Sequence, residues 1–219
     1  MNNEVYLLGA GGHAKVLKNS LRKLNIHIIG VIDNKLKVGE DVLGLKVLGN
    51  DQYAFNLDPS RVIFVNGLGG TTSTKVRREV YNRFKEKGYK FLSVIDPDTI
   101  IAEDVFISEG TQIMAGVIIQ PGSHVGINSI INTGTQIDHD CKIGNHCHIA
   151  PGVVMSGNVK VNDMSHLGTG VKIIQNIELG RQTLVAAGTT VIKNVLESKK
   201  LVIGGKSQVH ENPYSYEEL

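Results

Sequence analysis

Two groups of residues in this chain have types and spacings suited to chemistry. His139 is followed by Asp140 in the run Ile137-Asp138-His139-Asp140-Cys141. An imidazole titrates near working pH, and an adjacent carboxylate favours its charged form, so such a pair suits proton removal from a nucleophile. The second group lies near the N-terminus. Val5–Leu8 reads as a strand, followed by Gly9-Ala10-Gly11-Gly12-His13-Ala14 and a helix to about Leu24. The loop fits G-x-G-x-x-A, and Asp33 follows Gly11 by 22 residues. Glycines at such a turn let phosphate oxygens reach backbone N–H groups at a helix N-terminus.

The elements that must hold these groups fall into two textures, which divide near residue 94. Residues 1–94 carry 15 Lys/Arg and 8 Asp/Glu, net +7; residues 95–219 carry 8 and 13, net −5. Before the divide, β-branched runs alternate with helix-like segments. Ile28–Ile32 reads as a strand ending at Asp33, and Arg61–Val65 as another. A second Gly-rich loop follows it, Asn66-Gly67-Leu68-Gly69-Gly70, and then a basic helix over Lys75–Lys87. Lys75, Arg77, Arg78 and Arg83 read as a solvated helix face. A full dinucleotide fold needs two mononucleotide halves, and 94 residues supply about one. One nucleotide diphosphate with an appendage is preferred over NAD.

After the divide a six-residue period takes over. Every sixth residue from Ile95 to Val191 is Ile, Val, Leu or Met, seventeen positions in all. Chance gives such a run on the order of 10⁻⁸ of the time in a fixed register. The position four later is small or β-branched throughout, and Gly or Asn often precedes it, as at Gly110, Asn128 and Gly170. A period of six fits no helix face. It fits a short strand with an inward aliphatic residue, then a corner with φ > 0 and a smaller inward residue. Three such strands make an 18-residue triangular coil, and stacked coils make a parallel β-helix of between five and six turns. Cys141 and Cys147 both fall in the small inward slot and read as core. His148 and His166, 18 apart, should stack in one column. His139 lies in an outward corner, with Gly157 one coil further, where a backbone could approach a ligand. His124, His146 and His210 read as surface imidazoles.

Composition narrows the class. The chain has 219 residues, 41% hydrophobic and 20% charged, so it can build a core. A net charge of +2 argues against a nucleic-acid partner. No run approaches 18 apolar residues and no signal peptide is seen, so the chain reads as soluble and cytoplasmic, with no membrane partner.

A half-Rossmann domain opening with Gly9-Ala10-Gly11-Gly12-His13, ahead of coils bearing Ile137–Gly144 and His148-Ile149-Ala150-Pro151-Gly152, resembles the bacterial hexapeptide-repeat sugar O/N-acetyltransferases. The likeness runs to about residue 209. It implies an α/β nucleotide-sugar-binding domain over 1–94 and a left-handed parallel β-helix over 95–219 that binds acetyl-CoA. It implies a general base at His139, made more basic by Asp140. Coenzyme contacts fall at His148, Gly168, Thr169 and Ala187, to which the 18-residue step beyond His139 adds Gly157, and sugar-nucleotide contacts at Gly11, Gly12, His13, Asp33, Asn34 and Gly67. No metal is implied. The implied activity is acetylation of the amino group of a nucleotide-linked 4-amino-sugar for bacterial surface glycans such as O-antigen or capsule. The alternative is sialic acid O-acetylation. A homotrimer is implied, with the coenzyme groove between prisms. Relatives carry Gly-x-Pro-Ala-Lys after the last coil, where this chain has Gly204-Gly205-Lys206-Ser207-Gln208. Zinc carbonic anhydrases also use β-helices, with three converging His ligands. His139, His146, His148 and His166 could supply such ligands, but that family leaves the nucleotide domain unexplained. A non-catalytic module that keeps only the nucleotide site is a third reading, and the intact His139–Asp140 pair counts against it.

Overall fold

The computed structural model of the chain describes residues 3–70, 72–202 and 208–211, the backbone alone at 201, 202 and 208–211. Gly204–Ser207 and the His210 side chain lie outside the described residues.

The N-terminal part is a six-stranded sheet built on β1 (Glu4–Leu8), β2 (Ile28–Ile32), β3 (Asp41–Val42), β4 (Leu45–Gly49), β5 (Val62–Asn66) and β6 (Lys90–Phe91). Its order is β3-β4-β2-β1-β5-β6, parallel except for the β3–β4 hairpin. Helix α1 (Gly12–Lys23) follows β1, the short α2 (Asp51–Ala54) follows β4, and α3 (Lys75–Glu86) follows β5. Ala14, Leu17 and Leu21 recur at helical spacing and put one stripe of α1 against Val5, Leu7 and Val31 of the sheet. The other sheet face carries most of the aromatic residues. Phe64 meets Phe84 of α3 edge-on at 4.9 Å and Tyr89 at 5.1 Å. Aromatic mass is concentrated here because two unlike layers must fill an irregular gap; the coils have no such gap.

The sequence reading did not foresee β3 and β4. Their turn places both Leu43 and Gly44 at positive φ, 54° and 67°. That is the two-residue hairpin geometry for which Asn-Gly is the usual signal, and Leu-Gly hides it.

From Val94–Ile95 to Thr190–Val191 the chain makes seventeen two-residue strands, one per hexad. They form three parallel sheets, the faces of a left-handed triangular β-helix. A residue with φ > 0 turns every sixth position from Gly110 to Gly188, including the non-glycines Asp140, His146, Met164 and Gln182. Residues pair with those 18 further on, Ile131 with Ile149 and Val125 with Ile143. The inward Ile, Val, Leu and Met merge into one core with the free, buried Cys141 and Cys147. Burial pushes their thiols up to about 11 and about 12, so they are inert filler. A last strand, Lys199–Val202, extends the face that holds Leu184–Val185 and pairs back with Gln208–Glu211. Among the described residues no helix is long and apolar enough to cross a membrane.

The two parts share a polar seam. At one edge the buried Asp96 carboxylate accepts from Ser20 Oγ at 2.5 Å and Lys23 Nζ at 2.9 Å. Burial opposes its charge, but the bonds from Ser20, the Asp98 amide and Lys23 outweigh that and lower its pKa. In the middle lies Arg77, and here the structure corrects the sequence reading. Arg77 is 2% exposed, so it is no solvated face. Its Nη1 donates to Asn66 O and Leu68 O, each at 2.7 Å, and its Nε to Asn128 O at 3.0 Å. Burial lowers its pKa to about 9, which leaves it charged at neutral pH. His146 is also corrected. It packs edge-on against Tyr81, and its Nδ1 lies 3.0 Å from Asn128 Nδ2, inside the seam rather than on the surface.

Candidate active site

Asp140 occupies a corner at φ 61°, which turns its carboxylate back to the preceding residue. His139 Nδ1 lies 2.8 Å from Asp140 Oδ2. The carboxylate accepts, so the neutral ring carries its proton on Nδ1 and leaves the Nε2 lone pair free to act as base. The hydrogen bond to Asp140 raises the His139 pKa, and the charges of Asp138 and Asp140 add to it. Both side chains stand in solvent, 60% and 66% exposed.

Two glycines make room for this pair. A Cβ on Gly157, one coil beyond His139, would lie 2.5 Å from His139 Nε2. A Cβ on Gly122, one coil before Asp140, would lie 2.5 Å from Asp140 Oδ1. The imidazole therefore fills the space that the missing Cβ leaves at Gly157, the space the sequence reading held open for a ligand. Gly122 was not singled out from sequence, though the 18-residue step from Asp140 points to it.

The remaining candidates line three neighbouring cavities. One, of about 340 Å³, lies over the first Gly loop and includes Gly11, Asp33, Asn34 and Arg83. Nothing lies within 4 Å of a Cβ built on Gly11 or Gly12, so the loop faces open space. The α1 N-cap is Gly11, with no side-chain cap and no acid in the first turn, so the helix presents bare N–H groups. Asp33 Oδ1 accepts from Lys35 N, and Asn34 Oδ1 from Asp51 N. Gly67 has a packing role as well, since a Cβ there would lie 2.7 Å from Leu8 O.

The second cavity, of about 720 Å³, spans the seam. It shares Gly11, Leu68 and Val76 with the first and adds Gly12, His13, Gly67, Asn132 and His148. Gln112 donates to Asn66 O from Nε2 at 2.8 Å, so its Oε1 accepts from His13 Nε2 at 2.7 Å. Burial, with the charge of Arg77, lowers the His13 pKa to about 4. Neutral His13, protonated on Nε2, offers only an acceptor at Nδ1, which suits a hydroxyl or amine and not a phosphate oxygen.

The third cavity, of about 510 Å³, runs along the coils. It shares Gly70, His148 and Pro151 with the second and adds His166, Gly168, Thr169 and Ala187. His148 and His166 pair across adjacent coils, their rings 4.9 Å apart and edge-to-face. Burial first, then the repulsion that a proton here would meet from a protonated His166 or His13 and from the Arg77 charge, lowers the His148 pKa to about 3. A Cβ on Gly168 would lie 2.5 Å from Ala187 N, so that glycine lets the two coils close up. His139 and Asp140 line none of these three cavities within one chain. Among the described residues no group of three or more His, Cys, Asp or Glu is placed to hold a metal ion.

Residues 4–84 match the PglD N-terminal domain, and residues 122–157 match the bacterial transferase hexapeptide (six repeats). Among curated proteins, GDP-perosamine N-acetyltransferase of Escherichia coli O157:H7 is 26% identical over 83 residues. That match spans 38% of this chain and 38% of the relative, so the chain covers under two-fifths of that relative's length. Solved structures match over far more. PerB from Caulobacter crescentus, solved with CoA and GDP-perosamine, is 30% identical with a TM-score of 0.86, covering 95% of this chain and 97% of that one. The acetyltransferase domain of PglB from Neisseria gonorrhoeae, solved with acetyl coenzyme A, is 26% identical with a TM-score of 0.85, covering 95% and 99%. With the N-terminal α/β sheet, the hexad coils and a relative alike along nearly its whole length, the chain belongs to the hexapeptide-repeat sugar O/N-acetyltransferase family.

Proposed function

We propose that the chain is an acetyl-CoA-dependent N-acetyltransferase acting on the amino group of a nucleotide-linked 4-amino-sugar, in bacterial surface glycan synthesis. The observation that carries this reading is the unbroken series of cavities from the first Gly loop, past His13 and His148, to Thr169 and Ala187. The bare α1 N-terminus at Gly11 and Gly12 suits a diphosphate. Asp33 and Asn34 edge the same cavity, where the rest of the nucleotide would lie. The coil cavity is of the size that takes extended ligands, and its mostly apolar wall suits the coenzyme arm. PerB, with its bound CoA and GDP-perosamine, supports the N-acetyl over the O-acetyl reading.

In this reading acetyl-CoA supplies the activated acetyl thioester. The sugar ammonium must lose a proton before its nitrogen can attack. His139 Nε2 accepts that proton, and Asp140 stabilises the imidazolium that forms. Neutral His13 faces the acceptor's polar groups without repelling its ammonium.

The exposed His139–Asp140 corner calls for a second copy. It follows the strand Gln136–Ile137, on the face whose outward residues include Ile100, 67% exposed, and Val154, 37% exposed. A homotrimer that packs a neighbouring prism on this face would cover the apolar residues and bring that copy's cavities to His139. Light scattering at micromolar concentration should return three times the chain mass; a clean monomer contradicts this arrangement.

Acetyl-CoA consumption against a panel of nucleotide 4-amino-sugars, sialic acid and serine tests the activity. Turnover should appear with a nucleotide amino-sugar and be absent with serine. In that assay His139→Ala should lower kcat/KM by about 10²–10⁴-fold while coenzyme still binds. Asp140→Asn should cost less and move the rising limb of the pH–rate profile to lower pH. The limb follows loss of the imidazolium proton, and without the anion that proton leaves at lower pH. Near-wild-type turnover by His139→Ala would overturn the assignment of the base.

Gly12→Val separates a phosphate site from a structural turn. A Cβ at this position meets nothing within 4 Å, so the fold should hold. The KM for the sugar nucleotide should rise by about tenfold or more, as backbone hydrogen bonds to a charged phosphate are obstructed. The KM for acetyl-CoA should stay put. An unchanged sugar-nucleotide KM would leave the loop as a turn only.

A further inference from the structure

The functional reading uses His148 and leaves His166, its neighbour one coil further, without a role. His166 is 6% exposed and edges the coil cavity. Its Nδ1 is enclosed and has no partner, and its ring makes no hydrogen bond among the described residues. The edge-to-face contact with His148 sets the tilt of the ring, with the two planes 88° apart. Most of the cavity wall around it is apolar, at Ala150, Pro151, Leu184, Val185 and Ala187. A buried imidazole with no partner costs free energy that an apolar ring of the same shape would not. Leu184 follows it in this column and shows the apolar choice at the equivalent position.

The chemistry of the ring limits what it can meet. Burial lowers its pKa to about 4, so it is neutral at neutral pH. With Nδ1 enclosed, the neutral ring can meet a ligand only through Nε2, which donates to an amide carbonyl or accepts from an amide N–H according to its tautomer. Positive charge stands elsewhere on the column. Lys200 lines the same cavity and pairs with Leu184, which pairs with His166. At one strand spacing per step, Lys200 is about 10 Å beyond His166, and His148 is about 5 Å before it. The column thus runs from a cation, through a neutral donor–acceptor, to the residue nearest the sugar-nucleotide cavity.

Resting on the coenzyme reading of this cavity, we propose that His166 is a coenzyme-binding residue whose imidazole hydrogen-bonds an amide of the pantetheine arm.

Calorimetric titration of coenzyme A into the full chain tests this, with His166→Phe and with two coenzyme analogues. Each analogue has one pantetheine amide replaced by a two-carbon methylene unit. His166→Phe keeps the ring shape and removes both nitrogens. It should bind coenzyme A about 2–10-fold more weakly than wild type. One analogue should lose the same factor on wild type and nothing further on the variant. The free variant should melt at or above wild type, since the ring it replaces is buried without a partner. His166→Phe binding coenzyme A as wild type does, or both analogues losing equally on the two proteins, overturns the proposal. His166→Leu takes the place of His166→Phe if the latter does not fold. A wild type that takes up no coenzyme overturns the functional reading and this proposal together; normal wild-type uptake with an unchanged variant overturns the role of His166 alone.

Discussion

Parallel pairing between residues 18 apart is the interaction on which the rest of this structure depends. Each strand hydrogen-bonds the next coil at about 4.8 Å, so a side chain is placed chiefly by what stands one coil before and one coil after it. Inward, this stacks aliphatic residues into a continuous core. Outward, it makes columns in which one residue's size decides its neighbour's position. Gly122 and Gly157 bracket Asp140 and His139 in this way, each leaving the volume that the neighbouring side chain fills. His148 and His166 fix each other's tilt by the same stacking. The His139–Asp140 pair thus needs no inserted loop to position it.

The seam does the complementary work of holding the Gly-rich loops at a set distance from the coils. Arg77 is its hub, a buried cation that binds three backbone carbonyls and, among the described residues, no carboxylate. Its charge reaches His13, His146 and His148 and helps keep all three neutral. One group therefore serves the architecture and the electrostatics together. It anchors the second Gly loop through Leu68 O and disfavours protonation of the imidazoles around the central cavity.

Much of this was legible in the sequence because the coils are strictly periodic. The hexad register names the inward residues, the stacking of His148 on His166 and the outward corner of His139. The first Gly loop was legible because a strand, a glycine turn and a helix follow one another without interruption. Features that depend on contacts between the two parts were not. Arg77 sits among basic residues of α3 that are exposed or half-buried, and the docked coils help to bury it. His146 reads as a corner residue like any other until Tyr81 and Asn128 close over it. The role of Gly157 was read by its spacing and missed by its volume, since a sequence does not say which side chain enters a vacancy.

Gly157→Ala tests the coil register as the device that seats His139, the proposed base. Gly157 is not in the left-handed region, so alanine brings no backbone strain, only a methyl group where the exposed His139 ring now lies. The ring should swing aside. With the base displaced by about 1 Å or more, kcat should fall about 10²-fold, while coenzyme affinity and melting temperature stay at wild-type values. A Gly157→Ala protein with wild-type kcat would contradict the account.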